Sequence, residues 1–206
     1  MNLHSTGRRE PGFVLASASP ARAALLRQIG LRFEVVPSRI REDDVAFEGP
    51  VDKVRSLSRT KAQHVAELVK DKVIIAADTV VVLGEDILGK PENQDDAKDM
   101  LNLLSGRWHH VVTGLTVLDT YTGASCTSHE VTAVRMKELS PFAIRAYVKS
   151  GEPLGKAGAY AIQGRGGMFI ESIEGCYFNV VGLPLAKLVN IFCEIGINIY
   201  DELFGG

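Results

Sequence analysis

Asp78 is the one charged side chain in the run Val73-Ile74-Ile75-Ala76-Ala77-Asp78-Thr79-Val80-Val81-Val82-Leu83. An ionised carboxylate among aliphatic residues needs a counter-charge, hydrogen bonds or a metal; an Asp that caps a turn at a strand end meets the same need. The loop Ser17-Ala18-Ser19-Pro20-Ala21-Arg22 offers the complementary chemistry. Ser19 suits an N-cap and Pro20 the first helical position, so the unpaired N–H groups and the helix dipole there favour an anion. Arg22 stands where a capping box would carry Glu or Gln, so it either faces a bound anion such as phosphate or points to solvent. Glu42 lies in the acidic turn Arg41-Glu42-Asp43-Asp44, Lys61 interrupts an apolar helical rhythm, and Lys90 follows the Asp78 run in Leu88-Gly89-Lys90-Pro91. Gln163 precedes Gly164-Arg165-Gly166-Gly167, where glycines let backbone come close to a ligand. Each of these also reads, alone, as solvated surface. His109-His110 would point to opposite faces of a strand and do not form a metal pair, and Cys176 has no activating histidine at a recognisable spacing.

These residues must be held by alternating strands and helices. Strands are expected at Gly12–Ala16, Arg32–Val36 and across the Asp78 run, which reads as one strand or two halves in a sheet covered on both faces. Val111–Leu118 and Ser125–Met136 read as an antiparallel pair about a turn at 119–123, and Met168–Ile173 as a further strand. Helices are expected at Pro20–Ile29, Val51–Val69, Asp95–Leu104, from Pro141 to about Ser150, and at Pro184–Ile195. The pattern is α/β with a mixed sheet. With 206 residues, 46% hydrophobic and 23% charged, we expect a flexible leader over 1–11 and a single domain over 12–206. A net charge of −2 gives no global attraction to nucleic acid or anionic lipid, so any anion site must be local. Cys126, Cys176 and Cys193 are odd in number and lack CxxC spacing, which fits a reduced cytoplasm, and no apolar run approaches the ~20 residues of a membrane span.

Taken in order, Leu15-Ala16-Ser17-Ala18-Ser19-Pro20, Ala77-Asp78-Thr79-Val80-Val81, Gly89-Lys90-Pro91, Leu104-Ser105-Gly106, Lys156-Ala157-Gly158-Ala159-Tyr160-Ala161-Ile162-Gln163-Gly164 and Val181-Gly182-Leu183-Pro184-Leu185 resemble the Maf family of nucleoside triphosphate pyrophosphatases. The resemblance runs from about Phe13 to Phe192. It implies an elongated mixed central sheet flanked by helices, two lobes with a cleft between them, and commonly a homodimer. The reaction it implies is water attack on the α-phosphorus of a nucleoside triphosphate, with release of pyrophosphate, assisted by a divalent cation, Mg or Mn. By the same resemblance Asp78 is the proton acceptor and shares the metal with Glu42, while Lys61, Lys90, Arg22, Lys156 and the hydroxyls of Ser17 and Ser19 neutralise and hold the phosphates.

Three family positions that look like selectors of the base correspond to Ala21, Thr79 and Gln163. Thr79 and Gln163 resemble the dTTP/UTP branch, whereas the branch acting on 7-methyl-GTP has Gln and Glu there. A Gln amide can meet the acceptor–donor edge of uracil or thymine. Ala21 departs from the Arg usual in the pyrimidine branch. The expectation is therefore hydrolysis of dTTP and UTP, extending to CTP or modified pyrimidines. The alternatives are a 7-methyl-GTP pyrophosphatase and a nucleotide-binding regulator of cell division or septum formation without significant turnover.

Overall fold

The computed structural model describes residues 12–42 and 46–205. The expected leader and Asp43 and Asp44 of the acidic turn lie outside them. The first half of the chain runs β1 Gly12–Leu15, α1 Pro20–Gln28, β2 Phe33–Val35, α2 Pro50–Ala66, β3 Lys72–Leu83, β4 Asp86–Leu88 and α3 Gln94–Leu104. The second runs β5 Trp108–Asp119, β6 Ser125–Met136, α4 Pro141–Lys149, β7 Ile170–Glu174, α5 Tyr177–Val181, α6 Leu185–Glu194 and α7 Ile199–Phe204. The seven strands form one sheet in the order β2-β1-β3-β5-β6-β7, with β4 on the far end of β3. β2, β1 and β3 are parallel and the remaining pairs antiparallel, so the sheet is mixed. Among the described residues no helix is long and apolar enough to cross a membrane.

β3 is the spine, because its period-2 alternation feeds apolar clusters on both faces. Ile74 and Ala76 pack with Ala62 and Val65 of α2, and Val80 and Val82 pack with Val54 of the same helix. Asp78 falls between these two clusters. On the other face Val73, Ile75 and Ala77 join a core with α1 and α6, and Val81 joins a second core with α3 and α4. Thr79 falls between those. The two polar residues thus mark the seam where one strand passes from one lobe to the other.

α2 lies unusually close to the sheet at this level. Gly114, paired with Asp78 across β3 and β5, has no room for a side chain: a Cβ there would sit 2.1 Å from the Val54 carbonyl oxygen. That approach sets α2 low enough for a lysine to reach β3 from above.

The expected elements are present with shifted ends. α2 stops at Ala66 rather than Val69, and Leu68, read as part of its apolar face, is exposed. β5 starts three residues early, at Trp108, because β6 extends far enough to pair with it there. The strand expected from Met168 begins at Ile170, since Arg165–Phe169 forms a 3-10 turn that buries Phe169 edge-on against Tyr147. The short β4, α5 and α7 carry too few residues to show a period.

His109 is buried and its Nε2 lies 2.8 Å from the Tyr160 hydroxyl, while His110 on the opposite face is exposed. Burial, helped by the charge of His110 and only weakly opposed by the Arg107 backbone, lowers the His109 pKa from 6.5 to about 4. Between those values the unfolded chain binds a proton that the folded one refuses. Stability is therefore complete above pH 6.5 and falls as the pH drops towards 4, by up to about 3 kcal/mol. Urea midpoints measured at pH 7 and pH 4.5 should differ less in His109→Gln, which keeps a hydrogen-bonding head but cannot titrate.

Candidate active site

β1 pairs with β3 only as far as Ile75, and β4 joins the same edge of β3 only from Val81. Between them the edge of β3 is open at Asp78 and Thr79. The chain leaves the carboxyl end of β1 through Ala16–Ser19 beside this gap, next to the place where parallel pairing gives way to antiparallel, which is where open α/β sheets form crevices. The gap is the floor of a cavity of about 750 Å³. One wall is Ala16–Arg22, the other is the stretch from Glu152 to Gly164, and Val180–Gly182 closes the end.

At the floor, Lys61 Nζ donates to Asp78 Oδ1 at 2.5 Å and to Glu42 Oε1 at 2.8 Å. Lys61 and Asp78 are buried, whereas the Glu42 side chain is 44% exposed and faces the cavity mouth. The residue that broke the rhythm of α2 is thus the counter-charge for the residue that broke the apolar run of β3. Partial burial alone would raise the Glu42 pKa, but the hydrogen bond and charge of Lys61, with the charges of Lys90 and Arg22, outweigh it and hold the carboxyl below its ordinary value. Glu42 consequently stays ionised through neutral and mildly acid pH. The two carboxylates converge on one Nζ, so both could also address one hard cation. Such a donor set suits Mg or Mn completed by water and phosphate oxygens. Among the described residues no three His, Cys, Asp or Glu side chains gather, so they do not form a full protein cage.

Arg22 does not point to solvent but lines the cavity. Its guanidinium is pinned in the protein: Nε donates to Gly182 O at 2.8 Å, Nη1 to Ala77 O at 2.8 Å and Ser17 Oγ at 3.1 Å, and Nη2 to Thr79 Oγ1 at 2.9 Å. Four of its five N–H groups are used and one remains for a ligand. Burial lowers its pKa despite the pull of Asp78 and Glu42, yet an arginine remains charged. Arg22 fastens α1 to β3 and to the α5–α6 turn, and lends its charge to the cavity. Ser17 Oγ accepts from Arg22 Nη1 and also from Ser19 N at 3.2 Å, so its own proton is left to donate to an anion. Ser19 is the N-cap of α1, accepting from Arg22 N at 3.4 Å.

The opposite wall carries Lys90, Lys156 and Gln163, all lining the cavity. Gly158 N donates to Gly89 O at 2.9 Å, which ties the Lys90 loop to the Lys156 loop, and Gly158 adopts a φ of +66° against Val81 where a Cβ would come within 2.7 Å. Gln163 is exposed in a loop held from below: Glu152 accepts from Tyr147 Oη at 2.9 Å, Arg165 N at 3.1 Å and Gly166 N at 3.0 Å, and Tyr147 Oη accepts from Ala161 N at 3.1 Å. Sequence reasoning missed Glu152 and Tyr147. Their only sequence signal is a carboxylate just ahead of a glycine-rich segment with unpaired N–H groups. Ala21 lines the wall beside Arg22 and brings no polar group. All eleven predicted site residues therefore border one cavity. Cys176, by contrast, is half-buried outside its lining.

A dTTP/UTP pyrophosphatase of Ruminiclostridium cellulolyticum is 49% identical over 187 residues, covering 90% of this chain and 97% of that protein. Another, of Acetivibrio thermocellus, is 46% identical over 197 residues, covering 92% and 98%. A HAM1 protein from Coxiella burnetii is 15% identical with a TM-score of 0.48, covering 89% of this chain and 99% of that one. The family model for Maf-like protein matches residues 12–195, which takes in every element that borders the cavity, and the chain belongs to the Maf family.

Proposed function

We propose that the chain is a nucleoside triphosphate pyrophosphatase that hydrolyses dTTP and UTP to the monophosphate and pyrophosphate. The observation that carries this reading is the Asp78–Lys61–Glu42 unit on the floor of a cavity whose walls bring Arg22, Lys90 and Lys156 to the same space. The relatives bearing that activity in their names support the choice of nucleotide.

Hydrolysis of a phosphoanhydride needs positioning and charge neutralisation more than covalent chemistry. Asp78, buried but lining the cavity and held in place by Lys61, accepts the proton of the attacking water. Lys61, Lys90 and Lys156 offset the charge of the triphosphate and of the departing pyrophosphate, and the Ser17 hydroxyl and the first turn of α1 donate to phosphate oxygens. Asp78 and Glu42 would hold a divalent cation, which when bound supplies further neutralisation of phosphate charge. Gln163 and Thr79 face the base and Ala21 leaves space beside it. The three free thiols, two half-buried and one exposed, suit a reducing cytoplasm.

Pyrophosphate release measured with Mg or Mn across a nucleotide panel checks the reading. UTP and dTTP should be the best substrates. A clear preference for 7-methyl-GTP, or no release from any nucleotide, would count for one of the two alternatives instead.

A further inference from the structure

The cavity wall at Thr79 has a hydrogen-bond direction. At one end the Arg22 guanidinium can only donate, and its Nη2 lies 2.9 Å from Thr79 Oγ1. At the other end the main-chain oxygen of Asn179 can only accept, and it takes the Thr113 hydroxyl at 3.3 Å. The hydroxyls of Thr79 and Thr113 are 2.9 Å apart and each has one proton. Turned the other way, Thr113 would face the Asn179 oxygen at 3.3 Å with no proton between them in a buried site, so the order that satisfies each of these atoms runs from Thr79 to Thr113 to Asn179. Thr79 has then spent its proton and one lone pair inside the protein. Thr113 is fully buried, so no solvent competes for this order.

We propose that Thr113 fixes Thr79 as a hydrogen-bond acceptor only, and that the cavity thereby selects bases that bring a ring N–H. The inference rests on the reading of the chain as a pyrimidine nucleotide pyrophosphatase. Uracil and thymine present N3–H, which the remaining Thr79 lone pair can accept. Cytosine presents an unprotonated N3, which would meet that lone pair acceptor to acceptor. Gln163 cannot make this distinction alone, because its amide can turn to offer either group. Thr79 cannot turn, being held from both sides. The opening towards CTP left by the missing cation at Ala21 is therefore narrowed at Thr79. Thr113 acts through Thr79 and is a positioning residue.

Thr113→Val tests this with little collateral damage, because Asn179 O also accepts from Gly182 N at 2.9 Å and stays satisfied. The variant frees the Thr79 proton for a ligand acceptor. The kcat/KM for CTP relative to UTP should be low in the native chain, rise about tenfold or more in Thr113→Val, and return to the native value in Thr113→Ser, with UTP turnover retained throughout. If Thr113→Val does not fold, Thr79→Val serves: it should weaken UTP more than CTP, and equal losses overturn the proposal. An unchanged CTP-to-UTP ratio in Thr113→Val, or native turnover of CTP equal to UTP, overturns this inference alone. Native failure to release pyrophosphate from UTP or dTTP overturns the functional reading with it.

Discussion

Asp78→Asn is expected to cut pyrophosphate release from UTP by about 10²- to 10⁴-fold, the range for losing a positioned general base, while leaving the fold intact. The amide is nearly isosteric and its oxygen can still accept from Lys61 Nζ, which keeps Glu42 as a charged partner 2.8 Å away. The loss should appear chiefly in kcat, because Asp78 deprotonates the attacking water, with any rise in KM reporting its share with Glu42 in holding the cation. A thermal melt of the variant separates the two effects: a large drop in activity at a small change in Tm fits the assigned role, and equal falls in both would not.

Lys61→Met is expected to hurt stability and activity together. Met occupies much the same volume along the buried stem of the lysine, so packing on α2 is largely kept. The charge is not. Asp78, 7% exposed, would remain between two aliphatic clusters with no counter-ion, and orphaning one member of a buried pair costs about 3–5 kcal/mol. Glu42 is half exposed and can turn to water, so the penalty falls on Asp78. Urea titration measures the loss. The same variant probes the cation site without any turnover: with the ammonium gone, Mg should raise its Tm more than that of the native chain, and should do so less when Glu42→Gln is added. An equal Mg effect in all three proteins would argue against Asp78 and Glu42 as the holders of the metal.

The parts of this site that could be read from sequence are those that break a local pattern. Asp78 stood out as a charge in an apolar strand, Lys61 as a charge in an apolar helical stripe, and the physics that made each anomalous is what joins them. Ser19 and Pro20 announced the start of α1 because capping is a local interaction. Arg22 was legible as unusual but not as pinned, since Ala77, Thr79 and Gly182 are brought to it only by the fold. Thr113 and Tyr147 gave no signal, because a threonine in a strand and a tyrosine in a helix violate nothing locally, and Glu152 gave only that of a carboxylate just ahead of a glycine-rich segment. The open edge of β3 was also hidden: it depends on how far β1 and β4 extend along the same strand, which is a matter of register rather than composition.

The most direct measurement is a UTP hydrolysis carried out in ¹⁸O-labelled water, with both products analysed by mass. Attack at the α-phosphorus by a water that Asp78 deprotonates puts the label in UMP and leaves pyrophosphate unlabelled. Label in pyrophosphate, or UDP and phosphate as the products, would contradict the chemistry assigned to the Asp78–Lys61–Glu42 floor.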